Sequence, residues 1–496
     1  MSKRDITSCR GTLDFLKEQD ELLVIKGEVD PICEVSGIIK ALDNGPALLF
    51  ENVKGYPNHR IVSGLFARRE RVAKIFGVAD SKKWEFKGIE AVKNPIPPEQ
   101  VDTGPCQEVV ITEDIDVLKI MPVIRYSETD AGRIIGGGNI LIGGPDIGNC
   151  ISYKRTHFRG KDWATLGFNP GSHFEYWVLE RRKENRNLPL TINVCPSPAV
   201  QILAGTGSSG IAIPAGTDEL AIAGGLQGAP VPVCKALTVD AYAIANAEWV
   251  IEGYIDTTQI AWESEEAEKT GSHLVPFFPE YHGHQGMCRP TYKFQATAVT
   301  YRKDSPIFYT PLAHGYEQFH MHPVINHALW YETLNRMCPG LVIDVNYPGA
   351  VAAGNGLAIQ VRKRRRREED YINNLILTAM TLSPRMRLVI VVDEDVDIYS
   401  ADDIMWALCS RVDPNKDVMM IPPGTRVAGI RGEARGPTSP AWRMGIDATA
   451  PFEQKREYFR GEYPRVDLER WLTREEIAKV RAQQSEYAKV LAEKRA

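Results

Sequence analysis

Helical and extended patterns of apolar residues alternate at the start of the chain. Phe15 and Leu16 form the apolar face of a predicted helix after residue 10, and the apolar run 22–25 predicts a buried strand. Residues 47–76 repeat the pattern with two strands and a helix. This alternation indicates an α/β lobe, and the segment 93–107, with four prolines and no periodicity, predicts a linker after it.

The pattern changes in the middle of the chain. Short β-rich runs separated by glycine and proline turns fill residues 108–325, which favours a barrel or a sandwich. Two helices are predicted within this region, near 172–184 and 197–204.

The last third returns to α/β patterning. A nearly pure apolar strand is predicted over 388–393, followed by a helix near 401–411. The final segment, 472–496, carries a capping-box pattern at Thr473 and Glu476 and predicts a helix whose apolar stripe packs on a neighbour, which could be another subunit. We therefore expect three domains, at 1–107, 108–325 and 326–496.

Composition and charge exclude several classes of function but say little about the fold. The 496 residues carry a net charge of −5, so no global basic field supports a nucleic-acid or membrane-surface role. The sequence contains no run of about 18 apolar residues, so we expect no membrane-spanning helix. The first residues lack the apolar segment of a secretory signal. The nine cysteines form no CxxC pair, so we expect no zinc cluster, reduced thiols and a cytoplasmic protein.

Three segments of the middle region carry residues suited to chemistry. In the polar strand 149–157, Lys154 and Arg155 point to opposite faces, so only one can face a cavity, although a surface strand fits the same pattern. The glycine-rich stretch 204–216 could bring backbone N–H groups to a phosphate or be a flexible loop, and Glu219 after it is a candidate oxygen ligand. Glu280, beside two histidines, could do acid–base work or bind a metal.

A run of six basic residues, 362–367, precedes three acids. Alone, the run fits binding to nucleic acid or to the phosphates of coenzyme A. The adjacent acids favour a solvated segment held by salt bridges.

Several motifs, in order along the chain, form a set that is more specific than any one of them. They are residues 46–55, 66–72, 219–228, 250–255, 391–397, 406–417 and 444–449. Together they resemble the UbiD-like family of decarboxylases, of the 3-octaprenyl-4-hydroxybenzoate carboxy-lyase type, nearly from end to end.

The resemblance implies an α/β (α+β) fold with an N-terminal α/β lobe, a central split β-barrel that binds flavin, and a C-terminal α/β oligomerisation lobe with a terminal helix. It implies prenylated FMN supplied by a partner flavin prenyltransferase, with Mn²⁺ or another divalent ion and K⁺ at the phosphate. Such proteins reversibly decarboxylate aromatic or α,β-unsaturated acids. We therefore expect a small aromatic acid and CO₂ as reactants, a homo-oligomer such as a dimer or hexamer, and no nucleic-acid or membrane partner.

The resemblance also assigns residues to the site. Asn149 and Glu219 match the family's metal-binding Asn and Glu, while the position of the metal-binding His falls on Asn169, or on His173 four residues later. Glu280 matches the proton donor, and the family's Arg matches Lys154, with Arg155 adjacent. The residues implied at the cofactor are Ser152, Tyr153, Lys154, Ser209, Gly210, Ile211, Arg387 and Arg411.

The sequence departs from the family at the first Glu of its Glu–Arg–Glu set, where Val275 stands. A lysine without a carboxylate partner would change the local charge and lose the bidentate guanidinium fork. Two alternatives follow. One is an enzyme for an aromatic acyl-CoA acid or a phenyl-phosphate carboxylase type of subunit, and the other is a non-catalytic structural subunit of a multi-subunit carboxylase.

Overall fold

The computed structural model describes most of the chain, and the fold is given for that part. The described residues are 4–143, 149–168, 172–206, 213, 217–281, 283–348, 354–383, 386–422, 442–461, 463–464, 466–485, 487–489 and 491. They fall into two compact units that divide between Leu329 and Trp330, inside the helix Pro323–Met337.

The first unit opens with an α/β lobe, as the apolar pattern predicted. Its elements are α1 (Cys9–Glu18), β1 (Leu22–Val29), α2 (Glu34–Ala41), β2 (Ala47–Val53), β3 (Arg60–Ser63), α3 (Arg69–Phe76), α4 (Trp84–Lys93) and β4 (Glu99–Gln100).

The middle region of the first unit is rich in strands, again as predicted, with helices inserted between them. Its elements are β5 (Val109–Ile111), α5 (Val117–Ile120), β6 (Ile134–Ile135), β7 (Gly138–Ile142), β8 (Cys150–Tyr153), β9 (Thr156–Phe158), β10 (Trp163–Leu166), α6 (His173–Lys183), β11 (Leu188–Val194), α7 (Pro198–Thr206), α8 (Glu219–Gln227), β12 (Pro232–Lys235), β13 (Tyr242–Ile244), β14 (Trp249–Trp262), α9 (Glu265–Thr270), β15 (Pro276–Pro279), β16 (Gln285–Met287), β17 (Pro290–Tyr301), β18 (Ile307–Tyr309), α10 (Tyr316–Met321) and α11 (Pro323–Met337).

The two parts of the first unit share one core. The N-terminal sheet has the order β1-β2-β3-β18, so its last strand comes from the far end of the unit. A single cluster of buried apolar side chains extends from Ile6 to Ile325. The proline-rich segment at 93–107 therefore lies between two regions of sequence but does not separate two cores.

The central sheet of nine strands is curled. Along the sheet the order is β6-β9-β10-β17-β14-β11-β7-β8, with β5 beside β17. In the chain, however, β8 and β9 are separated only by Lys154 and Arg155. Three residue steps span about 11 Å at most, so the two ends of the sheet must lie close together. Lys154 and Arg155 thus lie at the seam where the sheet turns back on itself.

The second unit is built on a five-stranded sheet in the order β19-β20-β21-β23-β22. Strands β20, β21 and β23 run parallel, and each edge strand is antiparallel to its neighbour. The elements are β19 (Val342–Asn346), β20 (Gly356–Val361), α12 (Ile372–Leu382), β21 (Leu388–Asp393), α13 (Ala401–Arg411), β22 (Val418–Ile421), β23 (Arg443–Ala448), α14 (Lys455–Tyr458) and α15 (Arg474–Gln483).

The predicted terminal helix is present, and its first turn confirms the capping box. The Thr473 side chain accepts from the Glu476 backbone N–H, and the Glu476 carboxylate accepts from the Thr473 backbone N–H. No helix in the described part of the chain has the length and apolar character needed to span a membrane.

Candidate functional site

Arg155, at the seam of the central sheet, lies between two carboxylates. Its Nε donates to Glu263 Oε1 at 3.3 Å, and its Nη1 donates to Glu280. The guanidinium also stacks on the ring of Phe277, 4.7 Å from the ring centroid. Burial lowers the pKa of Arg155, and Glu263 opposes that effect by favouring the charged form. A second cation, Arg289, also lowers the pKa of Arg155, so this cluster brings two guanidinium groups and two carboxyl groups together.

Glu263 is fixed at the end of β14. Its side chain is 1% exposed, and Oε2 accepts the backbone N–H of Arg289 at 3.0 Å. The Glu263 carbonyl accepts a hydrogen bond from His157 Nδ1 at 2.7 Å. Because both ends of the residue are held, Glu263 can fix the orientation of the Arg155 guanidinium.

Glu280 follows β15 and is held in a tight turn. Its backbone N–H donates to His284, and its carbonyl accepts from Gly283, whose φ of +87° favours glycine. Its side chain packs across Gly286, where an added Cβ would lie 2.7 Å from Glu280 Cγ. With 19% exposure, the carboxyl is more accessible than that of Glu263 and can exchange a proton with its surroundings.

The loss of the family's first Glu therefore does not leave the cation without a carboxylate. Val275 is buried and apolar, as the sequence says, but Glu263 reaches Arg155 from a different strand. Arg155 also retains the planar fork that a lysine would lack. The expected loss of the ion pair is not what the structure shows.

Lys154 has a different environment from its neighbour. Its Nζ donates to Ser152 Oγ at 2.8 Å and lies 5.9 and 5.8 Å from the ring centroids of Phe168 and Phe174. Tyr153 precedes it, with its hydroxyl 3.5 Å from the Gln201 side chain, and burial raises the Tyr153 pKa well above its usual value. The geometry therefore brings Arg155, rather than Lys154, to Glu280.

Three potential metal ligands converge at the starts of three elements. Cys150 opens β8, His173 opens α6 and Glu219 opens α8, and one ligand atom of each lies within 4.8 Å of the others. His173 Nδ1 is 3.7 Å from Glu219 Oε1, and Glu219 Oε2 accepts the Ile151 backbone N–H at 2.7 Å. A nitrogen, a sulfur and a carboxylate oxygen suit a divalent transition-metal ion.

Asn149 is close to this group but turned to other partners. Its Nδ2 donates to Asp218 Oδ2 at 2.9 Å, and its Oδ1 lies 2.4 Å from the position that a Cβ on Gly143 would occupy. Its backbone carbonyl accepts the Glu219 N–H at 3.0 Å. Asn149 therefore positions the start of α8 through its backbone.

Two of the remaining predicted cofactor residues, Arg387 and Arg411, belong to the second unit. Arg387 precedes β21 in the second unit, where its backbone bonds to Asn355 and Met444. Arg411, also in that unit, pairs with Asp395 at 2.5 Å and lies 3.6 Å from Asp393. The predictions that fall on Asn169, Ser209, Gly210 and Ile211 lie outside the described residues.

The basic run 362–367 is largely committed to acidic partners. Arg364 and Arg365 pair with Glu368, and Arg366 lies 3.6 Å from Glu453. Lys363 is buried and donates to Thr449 and Ala450. These contacts agree with the salt-bridged segment that the adjacent acids predicted.

Two residues of the site escaped the sequence-based prediction. Glu263 belongs to a local run of acids before α9, which resembles an ordinary helix start, and nothing local marks it as the partner of a residue 108 positions away. Cys150 counted among the structural cysteines. The alternation of side chains expected along the predicted strand 149–157 is the one signal that distinguishes Cys150 from Asn149.

Three family models match consecutive parts of the chain. They are the N-terminal domain of 3-octaprenyl-4-hydroxybenzoate carboxy-lyase (UbiD) at residues 13–86, its Rift-related domain at 99–315 and its C-terminal domain at 320–448.

Relatives and solved structures match over almost the whole length. A gallate decarboxylase of Lactiplantibacillus plantarum is 29% identical over 90% of this chain and 94% of its own. The apo 3,4-dihydroxybenzoic acid decarboxylase of Enterobacter cloacae has a TM-score of 0.84 at 27% identity, covering 94% of this chain and 99% of its own. An evolved dimeric form of the UbiD-class enzyme HmfF from Pelotomaculum thermopropionicum, in complex with prFMN, has a TM-score of 0.80 at 27% identity, covering 95% and 100%.

Proposed function

Because this chain belongs to the UbiD family of carboxy-lyases, we propose that it catalyses the reversible, non-oxidative decarboxylation of an aromatic carboxylic acid with prenylated FMN. The observation that carries the proposal is the set Glu263–Arg155–Glu280, which places one cation between a fixed carboxylate and an accessible one. The gallate and dihydroxybenzoate decarboxylases among its relatives support an aromatic substrate. When bound, the flavin supplies an electron sink for the bond that breaks.

In this proposal Arg155 orients the carboxylate of the substrate. Its guanidinium can form two parallel hydrogen bonds to a carboxylate, which fixes the plane of the group that leaves as CO₂. Glu263 neutralises Arg155 in the resting site, so Glu280 need not remain ionised for charge balance. The proton held by Glu280 is therefore available to the ring carbon.

Glu280 is the proposed proton donor. As the bond between ring carbon and carboxylate breaks, its electron pair stays with the carbon, and the proton of the Glu280 carboxyl forms the new C–H bond. CO₂ leaves, and Glu280 recovers a proton from solvent, which its 19% exposure permits. Carboxylation follows the same steps in reverse.

Lys154, Ser152 and Tyr153 would contact the cofactor rather than the substrate carboxylate. Ser152 and Tyr153 end β8 and Lys154 follows directly, with its Nζ bonded to Ser152 Oγ. We propose that Ser209, Gly210, Ile211, Arg387 and Arg411 complete the binding of the flavin and its phosphate, as the family resemblance implies. That resemblance also implies K⁺ beside the phosphate.

His173 and Glu219 would hold the divalent ion, with Mn²⁺ as the ion that the resemblance implies and Asn149 and Asn169 as the further ligands it suggests. Both residues open helices of nine or more residues, and helix N-termini favour an anionic group such as a phosphate. The ion would supply positive charge for the phosphate of the cofactor.

The test is to produce the protein together with a flavin prenyltransferase and to assay CO₂ release from hydroxylated benzoic acids. Glu280→Gln should abolish turnover while flavin remains bound, because it keeps the shape of the side chain and removes its acid. Glu268→Gln is the matched control, since Glu268 is 53% exposed and pairs with Arg159. Full activity of Glu280→Gln would overturn the assignment of the proton donor, and an empty protein would favour a structural subunit.

We also propose a homo-oligomer, supported by the exposed apolar residues before and within α15. Trp471 is 62% exposed, Val480 is 51% exposed and Leu472 is 37% exposed. Light scattering tests this: a mass of about 55 kDa, that of a single chain, would contradict it.

A further inference from the structure

The geometry points to Cys150 as a ligand of the divalent metal, beside His173 and Glu219, so that the site prefers a softer cation such as Zn²⁺, Co²⁺ or Fe²⁺ to Mn²⁺. The inference rests on the proposed function for the presence of a metal, and it concerns which residue completes the ligand set. A thiolate in place of an amide oxygen changes both the charge of the site and the class of metal that it holds.

The spacing of the three side chains fits a metal shell. Ligands at about 2.0–2.3 Å from a tetrahedral centre lie roughly 3.3–3.7 Å from one another. His173 Nδ1 and Glu219 Oε1 are 3.7 Å apart, and the Cys150 sulfur lies within 4.8 Å of both ligand atoms. Movements of about an ångström would bring all three onto one ion.

The second oxygen of Glu219 is turned toward this group, and the Glu219 side chain is hydrogen-bonded to Cys150. Oε2 is engaged by the Ile151 backbone N–H at 2.7 Å, which leaves Oε1 on the side of His173. The bond from Ile151 also ties the start of α8 to the strand that carries Cys150. The three elements therefore hold the side chains of Cys150, His173 and Glu219 close together before any ion binds.

The alternation of side chains separates Cys150 from Asn149. Neighbouring residues of an extended strand point to opposite sides. Cys150 lies beside His173 and Glu219, whereas Asn149 is hydrogen-bonded to Asp218 and faces Gly143. The Asn149 amide is held through its Nδ2 by Asp218, the residue that also caps α8 by accepting from the Ala221 N–H.

Binding would convert the buried thiol into a thiolate. The metal replaces the proton on the Cys150 sulfur, and that proton leaves to solvent. With the carboxylate of Glu219, the thiolate then balances both charges of a divalent ion. If the neutral Asn149 amide replaced Cys150 as a ligand, the ion and its protein ligands would keep a net charge of about +1.

Cobalt provides a direct test, because thiolate coordination to Co²⁺ gives a near-ultraviolet charge-transfer absorption that nitrogen and oxygen ligands do not. The full-length protein is prepared without flavin, stripped of metal and titrated with Co²⁺. We expect the absorption in the native protein and in Asn149→Ala. We expect it to vanish in Cys150→Asn, which keeps an oxygen donor. Cys195→Ala is the matched control, since Cys195 is a buried thiol that contacts Cys9 instead.

Competition between metals gives a second measurement. In Cys150→Asn the preference for Zn²⁺ over Mn²⁺ should fall by about 10-fold or more, because the soft ligand is gone. The proposal is overturned if native protein binds no Co²⁺ or binds it without the absorption, or if the absorption persists in Cys150→Asn. These spectra need neither flavin nor turnover, so their failure is distinct from a failure to decarboxylate.

Discussion

Removing the charge of Glu263 should destabilise the first unit far more than removing the charge of an exposed acid nearby. Glu263 is 1% exposed and lies 3.3 Å from Arg155 Nε. At that distance, with an effective dielectric constant of 20, the attraction is about 5 kcal/mol. Breaking buried pairs typically costs 3–5 kcal/mol. Because Glu280 continues to balance Arg155, we expect Glu263→Gln to lower the free energy of unfolding by about 3 kcal/mol.

The matched control is Glu268→Gln. Glu268 pairs with Arg159 at 2.9 Å, but its side chain is 53% exposed, and exposed pairs contribute about 0–1 kcal/mol. Urea unfolding of both variants at pH 7 measures the difference. Equal destabilisation by the two substitutions would refute the argument that Glu263 is the buried counter-ion of Arg155.

The same variant tests the catalytic role. With Glu263 neutral, the full charge of Arg155 acts on Glu280 and holds it as the ionised partner. The proton donor is then less available, so kcat should fall while flavin binding is unchanged. A Glu263→Gln protein that is destabilised but turns over normally would restrict Glu263 to a structural role.

Three further predictions concern the first unit. Burial raises the pKa of Glu317 to about 7, so the folded protein holds a proton on this carboxyl that the unfolded chain loses near pH 4.5. The free energy of unfolding should therefore fall by about 3 kcal/mol as the pH rises from 4.5 to 7. Urea titrations at each pH measure this dependence, which Glu317→Gln should remove. Arg155→Lys should raise the KM for the aromatic acid by about 10- to 100-fold, because a lysine lacks the bidentate fork. Lys154→Met should leave that KM nearly unchanged and weaken the retention of flavin. The reverse pattern would exchange the roles of the two residues. Gly224→Ala would place a Cβ 2.2 Å from the Ile96 carbonyl oxygen and should lower the free energy of unfolding by about 1–3 kcal/mol. The control is Gly37→Ala, in a helix with open space around this position. It should leave the free energy of unfolding unchanged or raise it by up to about 1 kcal/mol in the same assay.

The fold was largely predictable from the chain. Helical and extended periodicities located the N-terminal α/β lobe, the strand-rich middle and strand β21. These signals are local, because each depends on residues a few positions apart. The curl of the central sheet is not local, since it depends on β8 lying at one end of the strand order and β9 lying next to the other end. No pattern within 150–158 reveals that.

The types of residue at the candidate site were predictable from the sequence, but not all of their exact positions were. Glu280, His173 and Glu219 were identified from residue type and family likeness, and each lies in one of the two clusters described. Glu263 could not be identified, because it meets Arg155 across 108 positions of sequence. Contacts of that range are decided by sheet pairing, for which a single sequence carries little signal.

The two differences of register have one origin. Family likeness places the metal ligand at 149 and the cation at 154, whereas the structure brings Cys150 to the metal group and Arg155 to Glu280. Both pairs are five residues apart, so a shift of one residue moves both together. The shift is one of alignment rather than of strand pairing, because β8 ends at Tyr153 and both Lys154 and Arg155 lie in the link to β9. The cobalt spectra test the residue at the metal and the Arg155 kinetics test the residue at Glu280. Thiolate coordination with Lys154 as the substrate ligand would support Cys150 at the metal and overturn the assignment of Arg155.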